Sequence, residues 1–125
     1  MNAILQARNA YRQQSSAVRT PRRIEHDVFA RVTHALRAAA RMGAPGSPEL
    51  VRALHDNRRL WTTIAADLMS DGNALPADLR ARLISLAEFT RRHSGLVLRG
   101  TASPDPLIEV NAAVMKGLAA QDGRE

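Results

Sequence analysis

Histidines, carboxylates, paired arginines and two asparagines on apolar faces are the groups in this sequence that could do chemistry. A general base needs a second group within hydrogen-bond reach to position it. His26 and His34 stand two turns apart on what reads as one helix, too far to share a metal ion. His93 falls on the apolar seam of its own helix. Either it is a boundary histidine bonded to a backbone carbonyl or a neighbouring Asn, or it is an acid or base whose positioning partner the sequence does not show. The carboxylates stand mostly at helix starts or four residues before an arginine, as in Asp27–Arg31, Asp78–Arg82 and Glu88–Arg92, where a structural role suffices. There is no glycine-rich phosphate loop, no H-E-x-x-H spacing and no cysteine. These residues predict neither an enzyme nor a metal or cofactor site.

Asn57 and Asn111 interrupt otherwise apolar stripes. A buried amide without a partner costs several kcal/mol against an apolar medium (about 4–8), so each is expected to be bonded. One reading is a polar seam that fixes helix register; the other is a groove in which an amide bonds a peptide backbone. Arginines come in pairs at Arg22-Arg23, Arg58-Arg59 and Arg91-Arg92. Residues 1–60 hold eleven arginines against four carboxylates, whereas residues 61–125 hold seven basic against eight acidic side chains. The net charge of +6 is therefore concentrated in the first half, which suits an anionic partner such as RNA or an acidic protein surface. An RNA surface would also want exposed aromatics for base stacking. Only Tyr11, Phe29, Trp61 and Phe89 are available, and the last three are needed in or near the core.

The elements that must position these groups are helices. At 125 residues the chain is long enough for one domain with its own core, and with 3% aromatics that core must be aliphatic and alanine-rich. The central helix runs from Ser47, an N-cap followed by Pro48 at the first helical position, to Met69. Leu50, Leu54, Asn57, Trp61, Ile64 and Leu68 form its stripe. Before it, Thr20-Pro21 opens a helix whose stripe is Ile24, Val28, Val32, Ala35, Ala39 and Met42, widened by Phe29 and Leu36. Glycine and proline at 43–46 end it. After the central helix, Pro76 opens a third with Leu79, Leu83, Leu86, Thr90, His93 and Val97 on its seam, weakened at Gly95 and stopped at Gly100. Ser103-Pro104 opens the last, with Leu107, Asn111, Val114 and Leu118 on the seam. Residues 1–15 predict a short N-terminal helix, joined by a polar linker, that docks or stays mobile, and residues 121–125 a disordered tail. No stretch alternates with period two. The fold expected is all-α: an antiparallel bundle of four main helices plus the short N-terminal one, as a single domain over 1–125. Neither a signal peptide nor a membrane-spanning helix is expected from the sequence, and a cytoplasmic protein is.

The order of short motifs resembles the flagellar biosynthesis regulator FlaF family. The resemblance begins at Ala7 to Tyr11 and Thr20-Pro21-Arg22, and is strongest at N-R-R-L-W (Asn57 to Trp61), A-D-L (Ala66 to Leu68) and N-A-L-P-A-D-L-R (Asn73 to Arg80). It continues through Leu83 to Leu86, Phe89-Thr90 with His93, Val97 to Gly100, Asp105 to Asn111 and Met115 to Leu118. The resemblance implies a non-enzymatic regulator of flagellin production, acting with a second protein, FlbT, or binding flagellin as a chaperone. Beside it, the residues suggest a groove that takes an apolar helical segment of flagellin. Trp61, Phe89 and His93 would border that groove, with Arg58, Arg59, Arg91 and Arg92 on its rim. The alternative is a regulator whose basic half contacts the flagellin message directly.

Overall fold

The computed structural model describes residues 20–42 and 46–123, with side chains placed over 26–42 and 46–117. The expected N-terminal helix over 1–15 lies outside the described residues. Four helices follow in order: α1 (Thr20–Met42), α2 (Pro48–Leu68), α3 (Ala77–Leu98) and α4 (Asp105–Gly123), with no strand among the described residues. The all-α bundle of four main helices expected from the sequence is the architecture observed. Each helix packs on its sequence neighbour and α1 also packs on α4, so the four close into a ring. The α3–α4 seam is the thinnest of the four.

Local signals place the ends. Ser47 sits extended and its Oγ accepts from the Leu50 amide at 3.1 Å, with Pro48 and Glu49 in the first turn. This cap satisfies one of the orphan donors of α2. Pro76 precedes α3 without a side-chain cap, and Arg99 ends it. Gly100, with φ of +79°, then carries the left-handed backbone that a β-carbon would strain. The Ser103 Oγ accepts from the Asp105 amide at 3.0 Å where α4 begins. That helix runs on to Gly123, so residues 121–123, expected in a polar tail, are helical.

Burial on α2 follows the stripe read from the sequence: Leu50, Leu54, Asn57, Trp61, Ile64 and Leu68 are all buried, joined by Ala53. On α1 the buried face is rotated from the expected one. Phe29, Val32, Thr33, Leu36 and Ala39 are buried, whereas Ala35 and Met42 are exposed and Val28 is half-buried. Phe29 and Leu36, both large and apolar, set the centre of the face, because burying them removes much apolar area from water. On α3 the buried positions are Thr90, Ser94 and Val97. Leu79, Leu83, Leu86 and His93, expected on the seam, are half-buried beside it.

The core is in two parts. The upper cluster holds Leu36, Ala39, Leu50, Ala53, Leu54, Val97 and Leu107; the lower holds Phe29, Trp61, Ile64 and Leu68. On α1 the chain passes from Phe29 below to Leu36 above, on α2 from Leu54 above to Trp61 below, and the helices thus alternate in direction. Phe29 meets the Trp61 ring edge-on, with centroids 5.6 Å apart and planes at 79°. Such a pair adds roughly 0.5–1.5 kcal/mol beyond the area it buries.

Candidate functional site

Between the two apolar clusters every helix contributes a polar side chain. Thr33 of α1, Asn57 of α2, Thr90 and Ser94 of α3 and Asn111 of α4 are each at most 1% exposed. One hydrogen-bonded chain joins the two asparagines to Trp61. The indole of Trp61 can only donate, and its Nε1 donates to Asn111 Oδ1 at 2.9 Å. That bond fixes which way the Asn111 amide faces, and Asn111 Nδ2 in turn donates to Asn57 Oδ1 at 2.7 Å. Helices α2 and α4 lie diagonally across the ring, with no Cα atoms of the two within 8 Å. These two side-chain bonds therefore tie together the pair of helices that backbone packing leaves apart.

The residues expected around a groove are dispersed by the fold. Trp61 is 2% exposed. It is a core residue and a hydrogen-bond donor, which removes it from any surface a partner could reach in this fold. Phe89 and His93 do come together: one turn apart on α3, both half-buried, their rings stack with centroids 5.2 Å apart. His93 Nε2 lies 2.8 Å from the Ser103 carbonyl oxygen, which can only accept, so Nε2 donates. Of the two readings of His93, the backbone-bonded one describes this geometry, pinning α3 to the connection that leads into α4. The remaining histidines lie outside the core, His26 half-buried and His34 and His55 exposed.

The four arginines of the expected rim are all exposed. Arg91 and Arg92 converge on Glu88: Arg91 Nε donates to Oε1 at 3.2 Å and its second nitrogen to Oε2, while Arg92 Nε stands 3.9 Å from Oε2. Hydrogen bonding from Arg91, with a smaller attraction from both arginines, holds the Glu88 carboxyl below its ordinary range, and the same bond raises Arg91. Among the described residues these are the ion pairs present, and neither Asp27–Arg31 nor Asp78–Arg82 closes. Arg58 and Arg59 have no such partner among the described residues and present free charge on α2.

Sequence reasoning missed where apolar surface is left incompletely covered. Around the lower cluster the half-buried side chains include Leu83, Ile84, Leu86 and Ala87 of α3 and Val110, Val114 and Met115 of α4, against Leu60 alone on α2. The two helices joined by the thinnest seam thus carry most of the half-covered apolar side chains. The available signal was the pair of polar residues, Thr90 and Ser94, at the middle of α3, which pulls its buried face away from its leucines. No group of histidines and carboxylates that could hold a metal occurs among the described residues, and no described helix is long and apolar enough to cross a membrane.

No curated protein and no solved structure is significantly similar to this chain. A family model does match, that of the flagellar protein FlaF, over residues 7–118. That span takes in all of α1 to α3 and α4 as far as Leu118, with the buried relay inside it. A match of this extent over the whole helical ring makes the chain a member of the FlaF family, and ties it to the biogenesis of the flagellum.

Proposed function

We propose that this protein promotes flagellin synthesis or secretion by binding flagellin as a chaperone-like partner, in the cytoplasm and without catalysing a reaction. The observation that carries the reading is the concentration of half-covered apolar side chains on α3 and α4, beside the thinnest seam of the bundle. An amphipathic helix of flagellin would lay its apolar face along Leu86, Val110 and Val114, in the manner of helix-in-groove recognition. Phe89 and His93 form the upper border of that surface, and exposed arginines, Arg58, Arg59, Arg91 and Arg92 among them, supply charge for acidic residues of the partner. FlbT would act with the complex on flagellin expression.

The test is a titration of purified flagellin monomer against this protein and its Leu86→Ser variant, with circular dichroism on both. Removing one buried apolar anchor worth about 1.5–3 kcal/mol weakens binding on the order of tenfold or more. The affinity of an apolar groove changes little with salt. A protein that ignores flagellin but binds the leader of its message, with log K falling steeply against log salt, would establish the RNA reading instead.

A further inference from the structure

The buried relay has a direction, and it ends on a donor with nothing to donate to. Trp61 gives its proton to Asn111, which must therefore face Trp61 with its oxygen and Asn57 with its nitrogen. Asn57 must then turn its oxygen to Asn111, which leaves its Nδ2 pointing elsewhere. No acceptor meets that Nδ2, although Asn57 is 0% exposed. Flipping either amide would set donor against donor, so the orphan cannot be relieved within the relay. Three further buried atoms lack partners: Thr33 Oγ1, Thr90 Oγ1 and Ser94 Oγ.

These four atoms come from three helices and share one level of the bundle. Thr33 lies between Phe29 of the lower cluster and Leu36 of the upper; Asn57 lies between Leu54 and Trp61; Thr90 and Ser94 lie between Ala87 and Val97. The layer is also the least bulky part of the core. Among the fully buried side chains, Trp61, Phe29 and three leucines are all larger than Asn57, Asn111, Thr33, Thr90 and Ser94. Small polar side chains facing one another across a helical ring leave room that leucines would fill.

We infer that this polar layer is a buried hydration site, in which internal water accepts from Asn57 Nδ2 and bridges to the hydroxyls of Thr33, Thr90 and Ser94. The chemistry fits water and little else. One orphan is a pure donor and three are hydroxyls that both donate and accept, so the occupant must be small, neutral and able to do both. Internal waters characteristically make about three hydrogen bonds to buried groups that have no other partner. Direct bonds from Thr and Ser to carbonyls in the preceding turn could satisfy the hydroxyls but would leave Asn57 Nδ2 as it is. The water extends the relay from α2 and α4 to α1 and α3, so that all four helices are tied at one level.

The test uses the full chain. High-resolution diffraction, or magnetisation transfer from water to the Asn57 side-chain amide protons in solution, reads the layer directly. A water within hydrogen-bond distance of Asn57 Nδ2 and of at least one of the three hydroxyls is expected. Thr33→Val and Thr90→Val provide a second readout whose sign differs between the two cases. Removing a partner of bound water lowers the melting temperature by roughly 3–6 °C, whereas replacing an idle buried hydroxyl by a methyl raises it. A dry layer, with Asn57 Nδ2 bonded directly to a hydroxyl, overturns the inference whatever the variants do; so does a rise in melting temperature in both.

Discussion

Replacing Asn111 by leucine tests the relay most sharply, because Asn111 is its only member with bonds on both sides. Leucine has the same branched outline and is larger, so the substitution removes two hydrogen bonds without opening a hole. Trp61 Nε1 loses its acceptor and Asn57 Oδ1 its donor, both inside the core. Each buried group left unpaired costs about 1–3 kcal/mol, which makes the gross loss about 2–6 kcal/mol. Against that stands the apolar burial gained by leucine, about 1.5–3 kcal/mol at most. Mid-range values leave a net loss of about 2 kcal/mol for Asn111→Leu. Urea unfolding followed by circular dichroism measures it as a lower midpoint at unchanged slope. The same substitution in a Trp61→Phe background isolates the indole. With no N–H to strand, Asn111→Leu should cost less there by about 1–3 kcal/mol. If Asn111→Leu is as stable as the parent chain, or costs the same in both backgrounds, the indole–amide bond does not carry the energy assigned to it.

Two further outcomes follow from the exposed side of α3. Gly95→Ala should raise stability by about 1 kcal/mol, since a β-carbon there meets only the Arg99 side chain at 3.8 Å and α3 runs through this residue with a helical backbone; thermal unfolding reads it, and a loss would mean that glycine has a packing role. Glu88→Gln should lower stability slightly at neutral pH and not at all in acid. The Arg91 bond holds the Glu88 carboxyl below its unfolded value, so its contribution is present above the unfolded pKa and disappears as pH falls through the folded one. A difference in melting temperature that persists in acid would show that Glu88 acts by something other than its charge.

Helix α2 was legible from the sequence because two independent signals agreed. Ser47-Pro48 marked its start, and six positions at four-three spacing marked its buried face. The polar residue in that stripe was legible as well, since an asparagine among leucines has few other roles. Helix α3 was harder. Thr90 and Val97 lay on the expected seam and are buried, but counting apolar residues passes over Ser94, which completes a buried centre that is small and polar. The count therefore favoured Leu79, Leu83 and Leu86, which the fold leaves half-covered. The partner of Trp61 was illegible for a different reason. Asn111 lies fifty residues away on a diagonal helix, and no local spacing rule relates positions that meet only once four helices have closed. The bond from His93 to the Ser103 carbonyl is of the same kind, because it depends on the path of the connection after α3. The Phe89–His93 stack, in contrast, was within reach, as residues four apart on one helix face.

The position of Asn111 on the last helix bears on how the chain is made. Synthesis delivers α1, α2 and α3 first, with the Trp61 indole already surrounded by apolar side chains but without its acceptor. Until α4 arrives, that N–H and the Asn57 amide must keep water, at the expense of the packing around them. A three-helix precursor is held open by its own tryptophan, and the final helix acts as the latch. Packing of α4 thus becomes the step that commits the chain, and a break between α3 and Asn111 leaves a product that cannot close its centre.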